Sequence, residues 1–120
     1  MENKIFVSGI NGFVGNAVKH FFSYYTIVSF FRGKDIEFQG SNVVIHLAGK
    51  AHDLKNVSSP QEYYKANTEL TKEIFNLFIE SSAKVFITLS SVKAIADEVN
   101  GELLEDTTPN PITHYGKSKL

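Results

Sequence analysis

Tyr115 and Lys119 stand four residues apart in the segment Tyr115-Gly-Lys-Ser-Lys119. On a helix that spacing projects both side chains from one face. A phenol of pKa about 10 is a poor base at neutral pH, and a neighbouring ammonium favours its phenolate, which suits the pair to moving a hydroxyl proton. A serine that holds the same oxygen completes such a site, and Ser90-Ser91 follow the apolar run Val85 to Leu89. A Tyr and a Lys at this spacing are common on helix surfaces, so the pair gains weight only from its companions.

The chief companion is the glycine series at the start of the chain. Gly9, Gly12 and Gly15 follow the apolar run Ile5 to Val7 and precede an amphipathic stretch. That is a strand, a turn and a helix in the order a dinucleotide site requires. Gly9 permits the tight turn, Gly12 lets a phosphate approach the backbone, and Gly15 lets the helix pack on the strand. Free amides at the helix start then face the pyrophosphate.

The elements that position these residues follow from periodicity. Ile5 to Val7 reads as a buried strand, and Phe13 to Tyr24 as a helix with Val14, Val18, Phe21 and Phe22 toward the sheet. Ile27 to Phe31 is a second strand, closed by the turn Arg32-Gly33-Lys34. Ile36 to Phe38 alternates as a marginal strand, and the stretch before the next strand is too short for a full crossover helix. Asn42 to Leu47 suits a central parallel strand. Ser59, Pro60 and Glu62 predict a capping-box helix start, and Leu70, Ile74, Leu77, Phe78 and Ser81 carry that helix to about Ser81. Val85 to Leu89 reads as a further buried strand, with Ser90-Ser91 at the ligand-binding end of the sheet. A long polar loop from Asp97 to Pro111 leads to a helix starting near Ile112 or Thr113. The fold class expected is α/β, a parallel sheet with helices on both faces.

A chain of 120 residues with 42% hydrophobic content supports one domain with a modest core. A net charge of −1 gives no electrostatic reason to expect nucleic acid. No cysteine is present, so neither a disulfide framework nor a thiolate site is available. His20, His52 and His114 show no metal-ligand spacing, and His46, inside an apolar strand, reads as a packed, hydrogen-bonded histidine rather than a ligand. No metal site is expected. Neither a signal peptide nor a membrane span is apparent, so the expected compartment is the cytoplasm. The C-terminal helix has no stop signal after it, so a truncated N-terminal portion of a longer protein is expected.

Together these motifs resemble the extended short-chain dehydrogenase/reductases, and within them the NAD-dependent epimerase/dehydratase enzymes of nucleotide sugars. Gly9-Ile-Asn11-Gly12-Phe13-Val14-Gly15 is similar to the family's cofactor loop. Val44-Ile-His-Leu47-Ala48-Gly49 is similar to a strand whose small residues line the cofactor. Tyr64-Lys-Ala-Asn67 matches the asparagine that holds the active-site helix geometry, and Phe86 to Ser91 matches the strand before the catalytic hydroxyl. The resemblance selects Ser91 over Ser90, by its distance from Ala94-Ile-Ala96.

The resemblance implies a Rossmann-like domain over residues 1–120, incomplete at the C-terminus and without its substrate domain. It implies that Tyr115 acts as base or acid on a sugar hydroxyl. Lys119 assists Tyr115 and binds the nicotinamide ribose, and Ser91 holds the reacting oxygen. The cofactor implied is NAD, the substrate a nucleotide sugar, and a homodimer is the expected assembly. The segment from Val92 to Pro111 resembles the substrate-proximal loop. The stretch from Ala48 to Asp53 resembles enzymes of N-acetylated hexosamine nucleotides in polysaccharide synthesis.

Departures from the family pattern keep alternatives open. An acidic residue expected at the end of the second strand is absent. Arg32 stands nearby and suits the 2′-phosphate of NADP, while Asp35-Ile36 is the only stand-in for an acidic-apolar pair near the adenine. Val92-Lys93 after Ser91 favours epimerase or reductase over dehydratase chemistry. An NADP-dependent carbonyl reductase of a small substrate, and a non-catalytic dinucleotide-binding module, are the competing readings. The piece alone is expected to be inactive.

Overall fold

Four short apolar runs pair into one parallel sheet. The computed structural model describes residues 3–51 and 59–120, and the readings placed on His52, Asp53 and the rest of 52–58 lie outside the described residues. The strands are β1 (Lys4–Ser8), β2 (Thr26–Ser29), β3 (Val43–His46) and β4 (Val85–Thr88), in the order β2-β1-β3-β4. The helices are α1 (Phe13–Phe21), α2 (Pro60–Tyr63), α3 (Leu70–Glu80) and α4 (His114–Lys119). A π turn (Tyr64–Glu69) joins α2 to α3, and a 3₁₀ turn (Val92–Ala94) follows β4. The chain divides into two compact units, one of Met1–Ala48 and Thr71–Leu89, the other of Gly49–Leu70 and Ser90–Leu120.

The first unit holds the whole sheet. Ile5 pairs with Val43 and Val7 with Ile45 across β1 and β3, so these side chains share one face, where Val18 and Phe22 of the α1 region pack against Ile5, Val7, Ile10 and Ile45. The opposite face carries Phe6, Val44 and Phe86. There Phe75 and Phe78 of α3 meet Phe86 with ring centroids 5.1 and 5.3 Å away, and Ile74 is fully buried. Helices therefore flank the parallel sheet on both faces, as the sequence predicts.

Several local expectations are corrected. Helix α1 ends at Phe21, not Tyr24, because Thr26 must already be in register with Lys4. Of the four residues expected to face the sheet, Val14 and Phe21 are exposed. Ile36 to Phe38 is not a strand but irregular chain, and Phe38 instead sets its ring edge-on to Phe6, 4.8 Å between centroids. The crossover from β2 to β3 thus has no helix. It turns through Gln39 (φ 50°) and Gly40 (φ 78°), and Ser41 anchors it by donating its hydroxyl to the Phe38 carbonyl at 2.6 Å. Strand β4 pairs only with β3 among the described strands. It is not the buried strand expected: Val85 and Ile87 are 45% and 44% exposed, since the face they share with Val43 and Ile45 is uncovered at that end. Ser59 makes no side-chain cap, and Glu62 N–H bonds the Ser59 carbonyl instead.

The second unit is built around α4. A six-residue helix has no stability of its own, so its supports come from outside it. Thr113 caps it by accepting the Gly116 amide on its side-chain oxygen at 3.0 Å. Asp97 accepts the Ile112 and Thr113 amides at 2.7 and 3.3 Å, and the Asn110 amide bonds the Ile95 carbonyl at 2.7 Å. The expected loop is therefore closed at its base by a carboxylate. Among the described residues no helix is long and apolar enough to cross a membrane.

Candidate active site

The glycine turn and the end of β3 form one cluster. Gly9 has φ +76°, and a Cβ there would lie 2.7 Å from the Ala48 nitrogen. A Cβ on Gly15 would collide with the Gly9 carbonyl oxygen. Both glycines are demanded by the protein's own backbone. Gly12 is different. Its φ of −77° suits any residue, and a Cβ there would meet only the Gly9 oxygen at an ordinary 3.4 Å. Nothing within the described chain requires glycine at that position, at the start of α1, where free amides favour an anion.

Beside this turn, Ser8 is a buried hub. Its hydroxyl oxygen receives the Leu47 and Ala48 amides at 3.1 and 3.2 Å, and lies 2.6 Å from His46 Nδ1. His46 Nε2 in turn is 2.8 Å from the Thr71 hydroxyl. His46 is thus the packed, hydrogen-bonded residue the sequence suggests. Ser8 locks the backbone of Leu47 and Ala48 against the glycine turn. Asn11, Phe13 and Val14 are exposed, Phe13 almost completely at 96%. Arg32 is exposed in a turn beyond the end of β2.

The second cluster surrounds α4. Tyr115 and Lys119 are both partly buried on this helix, and burial pushes the Lys119 ammonium below the usual lysine value. Ser91 is extended and accepts the Lys93 amide on its side-chain oxygen at 3.2 Å, capping the 3₁₀ turn. The Lys93 carbonyl sits where a Gly116 Cβ would stand. The absent side chain thereby brings the turn after Ser91 directly against the helix of Tyr115 and Lys119. An open groove adjoins Ser91, lined by Val92, Ile95, Leu103, Leu104 and Glu105.

Asn67, within the π turn, ties this cluster together. Its Oδ1 accepts the Lys50 amide at 2.7 Å and its Nδ2 donates to the Lys50 carbonyl at 2.8 Å. The same Nδ2 donates to the Ser118 hydroxyl at 2.9 Å. Gly49 serves this arrangement, since a Cβ there would lie 2.6 Å from Asn67 Oδ1. No group of His, Asp or Glu suited to a metal occurs among the described residues.

The model of the NAD dependent epimerase/dehydratase family matches residues 32–120. The chain belongs to that family of enzymes. Solved structures agree in fold. UDP-glucuronic acid 4-epimerase from Bacillus cereus, in complex with NAD, superposes with a TM-score of 0.80 at 23% identity, over 97% of this chain and 48% of that one. A dTDP-4-dehydrorhamnose reductase from Clostridium acetobutylicum gives 0.81 at 20%, over 97% and 46%. RMD from Pseudomonas aeruginosa, complexed with NADPH, gives 0.75 at 19%, over 98% and 46%. The chain spans about half the length of these structures. No curated protein matches it.

Within this family member, the structure brings Gly9, Gly12 and Gly15 together with Leu47 and Ala48 in one unit. It brings Ser91, Tyr115, Lys119, Gly49 and Asn67 into the other. Sequence reading missed four contributors: Ser8, Thr68, Asp97 and Ser118. Ser118 stands inside the Tyr-Lys motif and carried a local signal. Asp97 acts across fifteen residues and carried none.

Proposed function

We propose that residues 1–120 are the dinucleotide-binding domain of an NAD(P)-dependent enzyme that epimerises or reduces nucleotide sugars, in an architecture completed by a substrate domain. The observation that carries the cofactor reading is Gly12, a glycine that the described chain does not itself require, placed where α1 begins. A side chain there would fill the approach of a phosphate to the free amides. Gly9, Asn11, Phe13, Val14 and Gly15 would hold the pyrophosphate side of the cofactor. Leu47, Ala48 and Gly49 would line it, and Arg32 would meet a 2′-phosphate if the cofactor is NADP.

The bound nicotinamide supplies the hydride acceptor and donor. The chain's own part is proton handling and orientation. Tyr115 moves the proton of the reacting sugar hydroxyl, Ser91 holds that oxygen, and Lys119 orients Tyr115 and the nicotinamide ribose. Val92-Lys93 after Ser91 favours epimerase or reductase over dehydratase chemistry.

Calorimetric titration with NAD and with NADP, beside the same titrations of Gly12→Val, tests the reading. Saturable binding of one cofactor that the variant loses is expected. A folded chain that binds neither would overturn it.

A further inference from the structure

Ser118 is 4% exposed and is held at both of its polar ends by consecutive residues of the π turn. Asn67 Nδ2 donates to its hydroxyl at 2.9 Å, and the Thr68 hydroxyl donates to its backbone carbonyl at 2.7 Å. The Ser118 hydroxyl itself donates back to the Tyr115 carbonyl at 2.8 Å. Adjacent residues of an α-helix diverge too steeply to reach one target. Here the Leu70 amide bonds the Lys65 carbonyl, five residues back, and within this wider turn Asn67 and Thr68 both reach Ser118, one at its hydroxyl and one at its carbonyl. The carbonyl of Ser118 lies in the last turn of α4, where the helix leaves carbonyls without an internal partner.

We propose that Thr68 and Ser118 form a latch that fixes the rotation of α4 about its axis and so the aim of Tyr115 and Lys119. Thr68 and Ser118 are positioning residues, not catalytic ones. Asn67 is already committed to Lys50 by two hydrogen bonds, so it holds the latch to the loop after β3, while Thr68 supplies the second point that prevents pivoting about a single bond. Asp97, the Thr113 cap and the Gly116 contact hold the first turn of α4, and a single bond near its C-terminus leaves the last turn able to pivot. Tethered at two points, it cannot. The consequence for function rests on the proposed dinucleotide reading, because Lys119 is the residue assigned to the nicotinamide ribose.

The test uses Thr68→Val, which keeps the shape and removes the hydroxyl, with Ser118→Ala as a second variant and Thr68→Ser as rescue. The first readout is hydrogen exchange without cofactor. The Lys117 and Leu120 amides, which bond the Thr113 and Gly116 carbonyls, should exchange about fivefold faster in Thr68→Val, as expected for one lost hydrogen bond. Thr68→Ser should restore the wild-type rate. Unchanged exchange in both Thr68→Val and Ser118→Ala would overturn the latch.

The second readout compares NADH with ADP, which lacks the nicotinamide and its ribose. Thr68→Val should weaken NADH about fivefold and leave ADP unchanged, whereas equal loss of both would overturn the positioning role in favour of general destabilisation. A wild-type chain that binds neither ligand overturns the dinucleotide reading and the cofactor half of the proposal, and the exchange result then decides the latch alone.

Discussion

Ser8 Oγ lies 2.6 Å from His46 Nδ1, between register neighbours at the ends of β1 and β3. Two backbone amides point at the same oxygen, so its lone pairs are engaged and its own proton goes to the ring. Nδ1 is then an acceptor, and the ring proton sits on Nε2, donated to Thr71. Nitrogen NMR should find a single, Nε2-protonated His46. Ser8→Ala should cost about 1–3 kcal/mol in urea unfolding, because it leaves buried groups without their partner.

The glycines should separate into two classes. Gly9→Ala meets both the positive φ and the Ala48 backbone, and should destabilise the chain by at least about 1–3 kcal/mol. Gly12→Val should change stability by about 1 kcal/mol or less, yet lose NAD or NADP binding. Thermal unfolding read beside calorimetry checks both.

Asp97 gives the loop closure a pH dependence. The Ile112 amide foremost, with the Thr113 amide and Lys93 assisting, holds its carboxyl below the usual value of 3.8. A depressed carboxylate contributes stability that is present above its unfolded pKa and lost as pH falls through the folded one. Acid unfolding of the wild type below pH 3.8 should therefore contain a component that Asp97→Asn lacks. Urea melts of both proteins at pH 7 and across the acid range would show it.

Lys119 has the opposite relation to stability. Burial lowers its pKa from 10.5, so its contribution is fully favourable only above the unfolded value and is lost as pH falls through the folded one. At neutral pH the charged side chain weakens the fold. Lys119→Met should be more stable than wild type at pH 7, with the gap closing toward alkaline pH, and should lose turnover in any assay the intact enzyme supports.

Phe38 substitutes for a crossover helix. Phe38→Ala should cost about 1–3 kcal/mol, below the range of fully buried aromatic truncations because the ring is only partly buried, measured by urea unfolding. A cost below about 1 kcal/mol would mean that Phe6 does not depend on that ring.

The strands, their parallel pairing and the main helices were legible because each rests on a local pattern of apolar residues. Exposure was less so. Val85 and Ile87 are as apolar as Val43 and Ile45, their register partners, and only the position of α1 decides which pair is covered. The π turn left no compositional mark, since a hydrogen bond to the fifth residue back needs no particular side chain. In the candidate site, glycine positions and the Tyr-Lys spacing could be read directly. The division of labour among Gly9, Gly12 and Gly15 could not, because it depends on what each missing Cβ would strike.

Strand β4 offers apolar side chains and a row of backbone donors and acceptors along one margin. Such margins recruit other strands. Strand addition at β4, the edge of the described sheet, is therefore expected to set a ceiling on the working concentration of residues 1–120. Lysine in place of Val85 or Ile87 should lift that ceiling without touching either candidate cluster, which makes it a practical starting form for every titration above.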